Sequence, residues 1–232
     1  MGFMTMGLEN GLTILLAIIA FVIVLMAQVS VNGAFNKYKK VSTKKGLTGF
    51  ETARQILDRN GLNNIHIVEV RGNLTDHYDP RRKVVRLSHE IFHGNSVASI
   101  SIAAHEVGHA LQDKNNYIFL KIRAFLVPVV NLISYLGYFS LFISILGGLT
   151  SYLMMSILII SATIVFQLIT LPVEFDASKR AKVELVNLGI IDKPETKGVE
   201  KMLTAAALTY VAGLVSSILN LLRLIIMTRD SD

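Results

Sequence analysis

Two segments of the chain carry the residue types of a metallohydrolase at the spacing such chemistry needs. His105-Glu106-Val107-Gly108-His109 and His89-Glu90-Ile91-Phe92-His93 both read HExxH. Residues four apart on an α-helix lie about 40° apart around its axis, so both imidazoles can reach one zinc ion. The glutamate between them is placed to act as general base on a zinc-activated water. That arrangement needs stable helix through all five residues. The copy at 89–93 begins just after an apolar run ending at Leu87 and meets the helix-stopping pair Gly94-Asn95 at once. The copy at 105–109 lies in a run from Val97 to Leu111 with no Gly or Pro before Gly108. One zinc ion is therefore expected on His105 and His109, with Glu106 as the catalytic base. His89 and His93 are expected as surface or helix-start residues that could occupy the rim of the site.

The elements that must position these residues are set by where charge is missing. Charged residues make up 17% of the 232, against roughly 25% in an ordinary globular chain. Charge is absent in blocks: between Glu9 and Lys37, between Arg123 and Glu174, and between Lys201 and Arg223. A bilayer span needs about 20 apolar residues. The first and last blocks each fit one helix. The middle one fits two, with Gly147-Gly148, Thr150 and Ser151 as a turn near its centre. The expected spans are 11–32, 124–146, 152–172 and 203–227. Residues 1–10 contain no Lys or Arg, so the first span reads as a retained anchor and not as a cleaved signal peptide.

Basic residues cluster at Lys37 to Lys45, at Lys121 and Arg123, and at Lys179 to Lys182. By the positive-inside rule, segments 33–123 and 173–202 face the cytoplasm and both termini lie outside. Arg223 and Arg229 vote the other way. The net charge of +6 reads as a topology signal and an attraction to anionic lipid, with no nucleic-acid module to accompany it. The absence of cysteine excludes disulfides and thiolate metal sites.

A catalytic zinc takes three protein ligands and a water. A ligand beyond the long uncharged block is usable only if that block crosses the membrane an even number of times, and two spans satisfy this. The first acid after it is Glu174, just past Pro172, where the span is expected to end. Ala177, Ser178 and Ala181 follow on the same helical face and are small enough to let it pack on the helix of His105. Asp176 and His77 are the alternatives for the third position, and Asp176 points away from the Glu174 face.

Between the first two spans, Thr48-Gly49-Phe50-Glu51 has the spacing of a capping box and opens a helix over 49–59 that stops at Gly61. Residues 65–70 and 84–87 read as strands, Leu74 to Pro80 as a turn, and a further helix runs from about Asn95 to about Gln112. The segment at 83–87 is expected to pair with an extended substrate. His77 and Tyr78 are candidates for stabilising an oxyanion or touching substrate. The fold class is mainly α: a polytopic membrane protein of four transmembrane helices with a small α+β, zincin-like cytoplasmic domain.

At these residues the sequence resembles a known family. The segment AAHEVGHALQ, a transmembrane pair, and then LPVEFDASKRA look like the neutral zinc metallopeptidases of bacterial membranes, the YugP-type family. The stretch LTDHYDPRRKVVRLS is similar to that family too. The resemblance implies a membrane-bound zinc peptidase with His105, His109 and Glu174 as ligands and Glu106 as base. The HtpX and CAAX-protease type of gluzincin is a more distant likeness. That group carries an acid four positions after its ligand glutamate, where this chain has Ser178. Asp176 or Asp113 could supply the missing outer carboxylate.

The reading that follows is a multi-pass cell-membrane endopeptidase facing the cytoplasm, acting on protein or peptide substrates, membrane proteins among them. Its rival is a zinc-binding scaffold or regulator without turnover. A transporter is disfavoured because no ionisable residue lies within any span core. No feature of the sequence sets an oligomeric state.

Overall fold

The computed structural model describes residues 2–147 and 152–229. Among the described residues, seven helices and three strands follow one another: α1 (Gly2–Tyr38), α2 (Gly49–Arg59), β1 (His66–Val70), β2 (His77–Asp79), β3 (Val84–Ser88), α3 (His89–His93), α4 (Val97–Lys114), α5 (Ile118–Gly147), α6 (Tyr152–Asn187) and α7 (Lys193–Arg229). Four stretches of the described residues are long and apolar enough to cross a bilayer: Gly11–Tyr38, Ile118–Gly137, Met154–Asn187 and Lys193–Thr228. The mainly-α polytopic fold read from the blocks of missing charge is the fold observed. The turn expected around Gly148 falls on positions 148–151, outside the described residues.

The chain forms two compact units. One comprises Met1–Gln28, Ile122–Leu171 and Thr209–Asp232, and the other Val29–Lys121 with Pro172–Leu208. In the first unit the helices expose large apolar side chains such as Phe21, Phe125 and Leu158, as lipid-facing helices do. Gly137 lets Ile159 of α6 approach the backbone of α5.

The second unit holds an aqueous-type core that includes Ile56, Leu57, Val85, Leu87, Ile91 and Ile100. Here α2 begins where the capping box places it. The Thr48 side chain accepts from the Glu51 N–H, and the Glu51 carboxylate accepts from the Thr48 N–H. The small sheet has the order β1-β3-β2, with β1 parallel and β2 antiparallel to β3. This revises two expectations. The segment from Leu74 to Pro80 contains β2, which pairs His77 with Arg86 and Asp79 with Val84. β3 is therefore the central strand, with both edges occupied, and it has no edge to offer a substrate. The sheet's two edges belong to β1 and β2, and β2 is the one whose Tyr78 N–H meets Glu106.

Pro172 does not end its helix. α6 continues through it to Asn187, so Glu174 extends from the same helix that forms the third span. Proline removes one helical donor, a loss that long apolar helices tolerate. Tyr117 Oη donates to the Pro172 carbonyl at 3.4 Å, and Gln112 Nε2 to the next carbonyl, Val173, at 2.7 Å.

Candidate metal centre

α4 carries the centre because it is buried along most of its length. Ser96 caps it, its hydroxyl accepting from the Ser99 N–H. Small residues set its distance from α6. A β-carbon on Gly108 would lie 2.5 Å from the Ala177 carbonyl oxygen, so only glycine allows this approach. Ala177 and Ala181 are fully buried on the facing side of α6.

That approach brings His105, His109 and Glu174 together, with one donor atom from each within 4.8 Å of the others. His105 Nε2 lies 3.2 Å from Glu174 Oε2, and His109 Nε2 lies 3.7 Å from the same oxygen. Donors bound at about 2.0–2.1 Å around a tetrahedral zinc ion stand about 3.3 Å apart. The two imidazoles and one carboxylate thus fit a zinc ion in donor chemistry and in spacing. Asp176 and His77 are not in this group. Asp176 instead accepts from Gln112 and pairs with Arg180 at 2.6 Å.

Each histidine is held by its other nitrogen. His109 Nδ1 meets Gln112 Oε1 at 3.0 Å, and Gln112 Nε2 donates onward to the Val173 carbonyl and to Asp176 Oδ2. His105 Nδ1 meets Ser178 Oγ at 3.2 Å. With Nδ1 carrying the proton in each ring, both Nε2 lone pairs point at the shared site. Ser178 therefore stands at the place where the distant gluzincins have an acid, and it reaches His105 with a hydroxyl. Asp176 acts on His109 through Gln112, while Asp113 binds Lys83 and accepts from Tyr78 Oη at 2.7 Å. Gln112 is not among the residues that the sequence singles out. Its one available signal was its place three residues after His109, on the same helical face.

Glu106 is buried beside the pair, and the Tyr78 N–H donates to its Oε2 at 3.0 Å. Burial pushes its carboxyl up to about 7; nearby Glu174 and Asp76 add to the effect, while His105 and the Tyr78 N–H oppose it. Tyr78 thus addresses the site through its backbone, its hydroxyl being committed to Asp113. His77 is exposed on β2, with Nδ1 2.8 Å from the Thr75 carbonyl. Asp76, between Thr75 and His77, accepts from both the N–H and the hydroxyl of Ser88.

The second HExxH copy forms α3, only five residues long. Ile91 is buried beneath it, His89 and His93 are exposed, and Glu90 pairs with Lys39 at 3.4 Å. Neither histidine belongs to the His105 group.

Comparison with known proteins gives two findings. The sequence matches the family described as "Putative neutral zinc metallopeptidase" over residues 13–229. It is also 48% identical over 216 residues to a Bacillus subtilis (strain 168) protein named "Putative membrane protease YugP", covering 93% of this chain and 96% of that one. No solved structure matches the chain.

Proposed function

We infer function from one premise: the chain belongs to the neutral zinc metallopeptidase family. We propose that it is a membrane-integrated zinc endopeptidase whose centre is His105, His109 and Glu174, with Glu106 as general base. The observation that carries this reading is the convergence of the two Nε2 atoms on one Glu174 oxygen at tetrahedral-ligand spacing.

Bound zinc supplies Lewis acidity, making a water acidic enough to attack near neutral pH and polarising the scissile carbonyl. The protein's own residues do the rest. Glu106 accepts the proton of the attacking water and returns it to the leaving amine. Its buried site and its raised proton affinity suit a group that must take and then give a proton. The Tyr78 N–H holds one carboxylate oxygen so that the other faces the water. His77, beside Tyr78 on β2, is the residue we place against the developing oxyanion. An extended substrate adds along β2, the edge strand nearest the base, by main-chain pairing that demands little of its sequence.

The centre faces the cytoplasm of a multi-pass protein in the cell membrane. Support comes from the basic clusters flanking the spans and from the gathering of Val29–Lys121 and Pro172–Leu208 into one unit. The substrates are proteins or peptides, membrane proteins included. The test is cleavage of a generic unfolded protein by the detergent-purified chain, before chelation, after it, and after zinc is restored. Activity should disappear with the metal and return with it. A protein that holds zinc yet cleaves nothing under any of these conditions is the scaffold, and cleavage that survives chelation contradicts a zinc mechanism.

A further inference from the structure

The second HExxH copy lacks the features that make the first one catalytic, yet it has kept the features that bind a metal. On α3, His89 and His93 point to solvent from one side while Ile91 anchors the opposite side in the core. β1 runs parallel to β3, and its Glu69 stands opposite Leu87, two residues before His89. This register brings the Glu69 carboxylate between the two rings. Glu69 Oε1 lies 2.6 Å from His89 Nδ1, and Oε2 lies 3.0 Å from His93 Nε2. The imidazole centroids are 4.8 Å apart and tilted, so their lone pairs can converge.

We propose that Glu69, His89 and His93 form a second metal site, independent of the His105 centre, that takes a divalent first-row transition ion. Two imidazoles and one carboxylate suit zinc, nickel or copper and disfavour calcium and magnesium, which want oxygen throughout. The present separations of 2.6 and 3.0 Å fall about 0.7 and 0.3 Å short of the roughly 3.3 Å between ligands of a tetrahedral ion. The side chains are exposed and can open by that amount at little cost.

The same geometry says what this site does not do. Glu90, the residue that would act as base in this copy, pairs with Lys39. Nothing here matches the buried carboxylate that the first copy has in Glu106. The ion is therefore bound without hydrolysis and acts as a clamp. It fastens edge strand β1 to α3, directly after Ser88, whose N–H and hydroxyl hold Asp76. Filling the site steadies this strand-to-helix junction.

The experiment uses the full chain in detergent, purified without a polyhistidine tag, stripped by chelation and titrated with Zn²⁺ by calorimetry, with metal content measured in parallel. The wild type should take up about two equivalents. His89→Ala/His93→Ala should take up about one, and His105→Ala/His109→Ala should also keep about one. Glu69→Gln should weaken one class of sites by at least about tenfold and leave the other unchanged. One equivalent in the wild type, or a second equivalent that survives His89→Ala/His93→Ala, overturns the proposal. Loss of both equivalents in that variant overturns the independence of the two sites. Failure of peptidase activity alone touches none of these outcomes.

Discussion

A β-carbon on Gly108 would stand 2.5 Å from the Ala177 carbonyl oxygen, so the absence of a side chain at one position sets how near two helices come. His105 and His109 flank that glycine on α4, and Glu174 lies one helical turn before Ala177 on α6. The donor spacing of the whole centre depends on this contact. Gly108→Ala would favour the helix itself, by about 1 kcal/mol of intrinsic propensity. Any loss must then come from the helices moving apart. Zinc affinity should fall by about 10–100-fold, the range seen when metal ligands lose their support. A competitive chelator titration of wild type and variant reads this directly, and unchanged affinity would show that the close approach is not needed.

The two histidines are held differently, and this orders their supports. Gln112 is fully buried and reaches three partners, His109, Val173 and Asp176. Ser178 offers His105 a single hydroxyl. Gln112→Ala should lower zinc affinity by about 10–100-fold, and Ser178→Ala by clearly less. Zinc content after dialysis against a graded chelator series would rank the two. The reverse order would mean that His105 is the more dependent ligand.

Stability toward acid should depend on the cap of α2. The Thr48 backbone N–H, and after it the Thr48 hydroxyl, hold the Glu51 carboxyl below the usual carboxylate range. Its folded pKa is thus lower than its unfolded one. The stabilisation is present above the unfolded value and is lost as pH falls through the folded value. Glu51→Gln should melt below wild type at neutral pH, and the gap should close in acid. Thr48→Ala should cost about 1 kcal/mol. Thermal unfolding in detergent at both pH values checks both statements, and a gap independent of pH would deny Glu51 its charge role.

What could be read in the sequence was what short spacing or bulk hydropathy determines. The α2 cap involves residues three apart, and the spans are long runs without charge, so both were legible. β2 was not. Its three residues hold no strand pattern of their own and become a strand by pairing with β3, while the Tyr78 N–H turns to Glu106. Pro172 read as a stop because proline breaks isolated helices, whereas α6 continues through it. At the centre, the HExxH spacing was local and Glu174 followed from counting crossings. Ser178 was hidden as a support because its contact to His105 crosses between α6 and α4, and Gln112 was marked only by its place three residues after His109, since its contacts to Val173 and Asp176 cross between the same helices. The Glu69 contact to the second histidine pair was hidden for the same reason, since it depends on the register of β1 against β3.

The most direct test of the endopeptidase account measures zinc content and cleavage of an unfolded protein on the same samples of wild type, Glu106→Gln and Glu90→Gln. Glu106→Gln should keep its zinc and lose at least about 10²–10⁴-fold in turnover, the range supplied by a positioned general base. Glu90→Gln should match wild type in both. Turnover unchanged in Glu106→Gln, or lost in Glu90→Gln with Glu106→Gln still active, would contradict the assignment of the base and with it the proposed centre.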